Sequence, residues 1–514
     1  MGYFETLAKK AREKKPGAAP ASTGKEKPSD DEEKKRVLLD SYGDVKIYKD
    51  PKEQILLYEI PVPHFKGGEK TLIDSLVQIA IGVMPPDVAS LSDEEKRRRY
   101  YNKVLEIIEK TPELNVPVNA KDFYASAVVR EMAGYSLIDP LVADDNLEEI
   151  MIIGPGKPVY VFHRKYEMLK TNVFFYDDED IRNLIERIGR TVGRRIDTQV
   201  PMLDARLPDG TRVNATIPPS SIDGSTLTLR KFRRDPLSII DLINFNTLDF
   251  ETGALLWMAT DGLGAYPANI LVSGGTASGK TTTLNCLCSF VPNSERIVTI
   301  EDTAELNLPL EHWVRLEVRP ASLEGSGEIT MNDLVKNSIR MRPDRIIVGE
   351  IRGEEGYTMF NAMNTGHRGV MGTVHANSAQ ETLVRLASPP ISVPNIMISS
   401  LNIVLMQHRI HDRRLGTLRR ITEVAEVSAG DPNKPEIQVI YSWDPVKDRI
   451  YPTGLPSVFF DSLKRYTGLD DEGIAKELKE RESLLKKMAQ SGIRDMAEVC
   501  KITQGYISRK KLSI

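Results

Sequence analysis

Cysteine is nearly missing from this chain: three stand in 514 residues, at positions 286, 288 and 500. They form no C-x-x-C pair, so neither a disulfide framework nor a cysteine-built zinc site is expected, and a reduced, cytoplasmic setting fits best. Long apolar runs are lacking too. The stretch 72–84 is short and carries Asp74 and Gln78, and the charged segment 1–36 has no apolar centre of the signal-peptide kind. No membrane-spanning segment is expected, which leaves peripheral membrane contact through partners. Aromatic residues make up only 6% and the formal net charge is −4. A general attraction to polyanions and an aromatic-lined strand channel are therefore not expected, and no nucleic-acid partner is inferred.

The length exceeds what one hydrophobic core serves, and the pattern divides the chain into five stretches. Residues 1–36 mix charge with Pro, Gly, Ala and Ser and read as a disordered tether. Residues 37–146 form a mixed α/β and helical region, with a strand at 54–60 and helices around 93–109 and 122–133. Residues 147–236 form a second α/β subdomain with a linker. Its strands at 149–153 and 159–162 flank a Gly-Pro-Gly turn, and a helix over 180–192 places Ile181, Leu184, Ile185 and Ile188 on one face. Pro208-Asp209-Gly210 is a hairpin turn that sets Arg206 and Arg212 on either side of it.

From 237 to 440 strand and helix patterns alternate, as a parallel sheet covered by helices requires. The expected strands lie at 270–273, 296–300, 345–348, 369–374 and 402–406, and Thr330 with Asp333 makes a capping box that opens a helix. Residues 441–514 read as helical, with Ile474, Leu478, Leu485 and Met488 in one apolar stripe for packing on the core.

Glycine is concentrated where chemistry is expected. The run Ile270-Leu-Val-Ser-Gly-Gly-Thr-Ala-Ser-Gly-Lys-Thr281 fits the G-x-x-x-x-G-K-[ST] pattern between a strand and a helix. Such a loop turns backbone N–H groups onto phosphate oxygens, and the following helix adds positive potential. The nucleotide-binding set is Gly274, Gly275, Thr276, Ala277, Ser278, Gly279, Lys280, Thr281 and Thr282. Lys280 reaches the β- and γ-phosphates and Thr281 holds Mg²⁺. Hydrolysis also needs a carboxylate at the same sheet edge. Glu350, at the end of Arg345-Ile-Ile-Val-Gly-Glu, supplies it to orient or activate water.

An acidic cluster, Glu301-Asp302-Thr-Ala-Glu305, leaves a neighbouring strand; a metal would relieve its mutual repulsion, and Glu301 is assigned to Mg²⁺, directly or through water. Its plain alternative is a solvent-facing acidic loop. His367 and His375 bracket a strand and are candidate γ-phosphate sensors, because imidazole can bond phosphate or the catalytic carboxylate. Zinc is not expected at this pair, since neither C-x-x-C nor H-E-x-x-H accompanies it.

In order, Gly-Gly-Thr-Ala-Ser-Gly-Lys-Thr281, Thr-Ile-Glu301-Asp302, Arg-Pro-Asp-Arg-Ile-Ile-Val-Gly-Glu350-Ile-Arg and Gly-Thr-Val-His375-Ala-Asn resemble the Walker A, Asp box, Walker B and His box of the type II/IV secretion system ATPase superfamily. The likeness is to its GspE, PilT and FlaI members, and especially to archaeal GspE-like secretion ATPases. It implies an α/β fold: a RecA-like P-loop core, a mixed α/β, PAS-like N-terminal domain and a helical C-terminal extension. It further implies ATP and Mg²⁺ as ligands, a homohexameric ring, and a polytopic inner-membrane platform protein as partner. Asp-Ala-Arg206-Leu-Pro-Asp-Gly-Thr-Arg212-Val-Asn matches the family segment whose arginines approach the phosphates. The resemblance thus assigns those arginines to catalysis, where a guanidinium stabilises the transferring phosphoryl group. The function implied is a motor for secretion or for filaments of type IV pilus or archaellum kind. The rivals are a nucleic-acid motor on the same core and a nucleotide-switched scaffold with little turnover.

Overall fold

The computed structural model describes residues 36–62, 69–83, 93–232, 235–319, 321, 327–412, 416–431 and 433–511. The tether expected over 1–36 lies outside the described residues apart from Arg36. The chain divides into two units, Met1–Arg233 and Arg234–Ile514.

In the first unit, strands β1 (Val37–Tyr42), β2 (Val45–Lys49), β3 (Leu56–Glu59), β4 (Leu147–Ile152), β5 (Pro158–His163), β6 (Glu167–Phe174), β7 (Met202–Arg206), β8 (Arg212–Thr216) and β9 (Thr226–Arg230) share one sheet. Their order is β1-β2-β3-β6-β5-β4-β9-β8-β7. The strands before residue 60 and those after 147 are therefore one layer, joined by the parallel pairing of β3 with β6. Burial alternates along β5, where Val159, Val161 and His163 turn inward, as a sheet with one packed face demands. The helix Asp178–Thr191 covers that face through Ile181, Leu184, Ile185 and Ile188. Its N-cap Asp177 accepts the Glu179 N–H at 3.1 Å. The helices Glu69–Val83, Asp93–Lys110 and Lys121–Ala133 bury a separate cluster around Leu76, Val104 and Val128.

The second unit holds β10 (Ile270–Gly274), β11 (Ile297–Glu301), β12 (Trp313–Glu317), β13 (Arg345–Ile351), β14 (Met371–Val374), β15 (Ile403–Asp412), β16 (Gly416–Asp431), β17 (Lys434–Asp444) and β18 (Arg449–Pro452). They lie in the order β12-β11-β13-β14-β10-β15-β16-β17-β18. From β12 to β15 every pair is parallel. From β15 onward the pairs are antiparallel. The parallel strands are buried on both faces and read as continuous apolar runs, so they are legible in the sequence. The edge strand β12 and the antiparallel set β16–β18 mix polar residues into the ladder, which periodicity alone does not mark, so the helical region expected from 441 begins only at Val458, after β17 and β18.

The capping box at the helix Met331–Ser338 is realised: Asp333 N–H donates to Thr330 Oγ1 at 3.1 Å and Thr330 N–H donates to Asp333 Oδ2 at 3.1 Å. The C-terminal helices pack on this unit, with Ile474, Leu485 and Met488 in the same apolar cluster as Trp257 and Phe290 and Leu478 at its margin. Among these apolar contacts Arg481, 3% exposed, is held by two carboxylates, Nη2 to Asp261 Oδ2 at 2.8 Å and Nη1 to Glu477 Oε2 at 2.6 Å. The Arg481 guanidinium also covers the Trp257 ring at 5.4 Å.

Candidate functional site

The glycine-rich loop leaves β10 at the C-terminal edge of the parallel run and enters the helix Lys280–Cys288. Gly274 is obligatory by contact, because a Cβ there would stand 2.2 Å from the Gln407 carbonyl oxygen. Gly279 is obligatory twice over: its φ is +98°, and a Cβ would meet Gln407 Nε2 at 2.9 Å. Gly275, by contrast, faces open space. Ala277 holds a φ of 58°, an uncommon left-handed value for a residue with a Cβ. Among the described residues, no protein acceptor takes the N–H groups of Gly275, Thr276 or Ala277. Unsatisfied donors at a helix N-terminus make a cradle for an anion, so the loop fits a phosphate chain. Lys280 Nζ donates to the Gly274 and Gly275 carbonyls at 2.9 and 3.0 Å, folding its charge over the same loop. Burial lowers the Lys280 pKa, and the nearby Glu350 carboxylate opposes that shift.

Two residues absent from the sequence reading hold this loop in shape. Gln407, on β15 and only 1% exposed, donates from Nε2 to the Ser278 carbonyl at 2.9 Å and accepts at Oε1 from the Thr283 hydroxyl at 2.7 Å. It therefore clamps the loop to the helix that follows. Arg419, on β16, donates from Nε to the Ala277 carbonyl at 3.1 Å. A polar residue closing the apolar run Ile403-Val-Leu-Met was the one sequence signal for Gln407; Arg419 had none, because it comes into reach only through the β15–β16 pairing.

Glu350, the last residue but one of β13, lies at the same edge, two strand positions from β10. Its Oε2 accepts two N–H bonds from Arg352, from Nε at 3.0 Å and from Nη2 at 2.6 Å. Arg352 Nη1 donates in turn to Asp302 Oδ2 at 3.0 Å, so the ends of β11 and β13 are linked by charge. Glu301, 2% exposed, is set differently. Its Oε1 accepts the Glu305 and Leu306 N–H groups at 2.9 Å each, shaping the turn after β11, and its Oε2 is buried with no hydrogen-bond partner. Burial above all pushes the Glu301 carboxyl up to about 7, against the pull of those two N–H groups. Gly349 leaves room for it, since a Cβ there would stand 3.0 Å from Glu301 Cγ.

His375 directly follows β14, whose Val374 pairs with Ser273 of β10, and so stands at the phosphate-loop edge. His367 precedes β14 and Gly369 touches Arg345 at the start of β13, so His367 stands at the opposite edge. The structure thus separates the two histidines that the sequence presents as a pair. Among the described residues no group of three or more His, Cys, Asp or Glu side chains is arranged to hold a metal ion. Thr281 stands in the first turn of the helix that follows the loop.

Arg206 and Arg212 lie in the first unit as the closing pair of the β7–β8 hairpin, directly opposite one another. The turn is built as expected, with Gly210 at φ +92° and the Thr211 N–H donated to Asp209 Oδ1 at 3.0 Å. The pairing continues sideways: Arg212 faces Arg230 of β9, and Arg230 faces Glu149 of β4. Three guanidinium-bearing residues therefore form one row across three strands, and the row ends on the Glu149 carboxylate, 3.8 Å from Arg230 Nε. The place of Arg230 in the row comes from strand pairing.

Residues 131–426 match the protein family described as type II/IV secretion system protein. The uncharacterized protein MJ0900 of Methanocaldococcus jannaschii is 32% identical over 402 residues, spanning 77% of this chain and 72% of the relative. Protein MJ0781 of the same organism is 53% identical over 237 residues, but the match takes in 46% of this chain and only 33% of that relative's length. The type IV secretion system protein PtlH of Bordetella pertussis is 31% identical over 278 residues, covering 50% of this chain and 81% of PtlH.

Proposed function

The chain belongs to the type II/IV secretion system protein family, and from that premise we propose that it is a Mg²⁺-dependent ATPase motor, working as a homohexameric ring that powers secretion or the assembly of type IV pilus or archaellum-like filaments. One observation carries the reading: a phosphate cradle with unsatisfied N–H donors and a carboxylate, Glu350, meet at one edge of the parallel run of one sheet. Ligands of open α/β sheets gather at this carboxyl edge.

Phosphoanhydride hydrolysis is positioning plus electrostatics, and the chain supplies both. The loop and Lys280 hold the phosphates, and the Thr281 hydroxyl is the ligand for Mg²⁺. Bound Mg²⁺ contributes charge neutralisation on the phosphate oxygens. Glu350 orients the attacking water and accepts its proton. His375 reports on the γ-phosphate from the end of β14, and Glu301, at the end of β11, would hold Mg²⁺ directly or through water. Arg206 and Arg212, with Arg230 as a third member, respond to phosphate charge and link nucleotide state to the position of the first unit. Force passes to a polytopic inner-membrane platform protein. No helix among the described residues is long and apolar enough to cross a membrane, which is consistent with peripheral attachment through that partner.

The test is Glu350→Gln in the full chain. ATP binding should persist while steady phosphate release is lost; undiminished release would refute the assignment. Sedimentation with and without ATP tests the ring.

A further inference from the structure

We propose that Arg352 and Asp302 are positioning residues for Glu350, deciding which carboxylate oxygen is offered to the attacking water. This rests on Glu350 acting as proposed above, and it adds two residues to which no role in the reaction has been given.

The geometry is asymmetric. Both N–H bonds from Arg352 fall on the same oxygen, Oε2, at 3.0 and 2.6 Å. Oε1 is left outside the ion pair, and a carboxylate tied at one oxygen can no longer rotate freely about its last bond. The guanidinium is itself held at both ends. Nη1 is fixed to Asp302 at 3.0 Å, and the backbone at its root is pinned by Glu355, whose Oε1 accepts the N–H groups of Arg352 and Gly353 at 2.6 and 2.7 Å. Glu355 is buried, so that anchor belongs to the rigid part of the fold.

Exposure excludes a mainly structural purpose. The Arg352 side chain is 65% accessible and Asp302 50%, and ion pairs so open to water add little to stability. What remains is orientation: a planar fork held by Asp302 and aimed at one oxygen of Glu350. The same arginine is close enough to Lys280 to act on its charge, in the sense opposite to Glu350. The three groups therefore share one neighbourhood with the phosphate cradle. Asp302, Arg352 and Glu350 form a relay from the end of β11 to the end of β13, in which the first member orients the second and the second orients the third.

The alternative roles make opposite predictions. If Arg352 instead restrained Glu350 from reacting, or gave its charge to the phosphates, then freeing it by Asp302→Asn would speed turnover. The experiment is steady-state phosphate release by the full chain, with affinity for a fluorescent ATP analogue measured alongside, for Glu350→Gln, Arg352→Gln, Arg352→Lys and Asp302→Asn. Misplacing a reacting group costs up to about 100-fold, so Arg352→Gln should lower kcat by about 10- to 100-fold and Asp302→Asn by about 3- to 10-fold. KM and analogue affinity should stay within about twofold, the signature of an interaction used only in the transition state. Arg352→Lys, which can still reach Oε2, should recover part of the loss. Faster turnover from Asp302→Asn, or unchanged kcat in Arg352→Gln while Glu350→Gln abolishes turnover, would overturn this inference alone. Full turnover in Glu350→Gln would overturn it together with the reading of the site.

Discussion

Replacing Gln407 by leucine removes the clamp on the phosphate loop without leaving a hole, because the two side chains are of similar size. Two groups then lose their partner: the Ser278 carbonyl, which accepts from Gln407 Nε2 at 2.9 Å, and the Thr283 hydroxyl, which donates to Oε1 at 2.7 Å. A buried polar group left unpaired costs about 1–3 kcal/mol. The Thr283 hydroxyl can turn to a carbonyl of its own helix, so the Ser278 carbonyl dominates and the total should be about 2–4 kcal/mol. Part of that loss falls on the folded state and part on nucleotide binding, since the loop must be ordered again when phosphate enters. Each 1.4 kcal/mol on the binding side weakens affinity about tenfold. Calorimetric titration of ATP into the full chain should show Kd raised by about 10- to 100-fold, together with a smaller ATP-induced rise in unfolding temperature. Gln407→Glu isolates one half of the effect, keeping an acceptor for Thr283 but setting a carboxylate against the Ser278 carbonyl. Gln407→Leu with parental ATP affinity and a parental unfolding midpoint would show that the loop holds its shape without the clamp.

The Glu301 carboxyl, raised to about 7 from an unfolded value of 4.5, binds its proton more tightly in the folded state. Its contribution is therefore fully present below the unfolded pKa and is lost as pH rises through about 7. Glu301→Gln should raise the unfolding temperature more at pH 8 than at pH 5, by at most about 3 kcal/mol in free energy; an equal change at both values would show that Glu301 is charged throughout. Asp261→Ala takes one of its two carboxylates from the buried Arg481, leaving Glu477, and should cost about 3 kcal/mol in urea unfolding, the low end for breaking a buried pair, whereas Asp261→Leu combined with Arg481→Met should recover part of it. If the double variant is no better than the single, the pair is not the source of the loss. Thr281→Ala should leave nucleotide binding without Mg²⁺ little changed while removing the gain that Mg²⁺ brings, as read by titration with and without the metal; an intact Mg²⁺ effect would move the metal ligand elsewhere.

What the sequence determined by itself are the features whose physics is local. Gly274, Gly279, Lys280 and Thr281 lie within one turn of chain, and the loop they form needs only a strand before it and a helix after. The buried strands β10, β11, β13 and β14 and the first half of β15 are mainly apolar on both faces, and Ile181, Leu184, Ile185 and Ile188 repeat at helical spacing. Each is therefore written in adjacent letters. Glu350 was legible for the same reason, as a charge ending an apolar run.

Only the tertiary structure decided which distant residues share the site. Gln407 reaches the phosphate loop because β15 pairs with β10, and no spacing in the chain encodes that pairing. Arg352 and Asp302 meet because β11 lies beside β13. Arg230 joins Arg212 and Arg206 because β9 pairs with β8. Strand order in a sheet is set by the closing of long loops and the fit of whole faces, quantities spread over the entire core, so it cannot be recovered from any short stretch of residues.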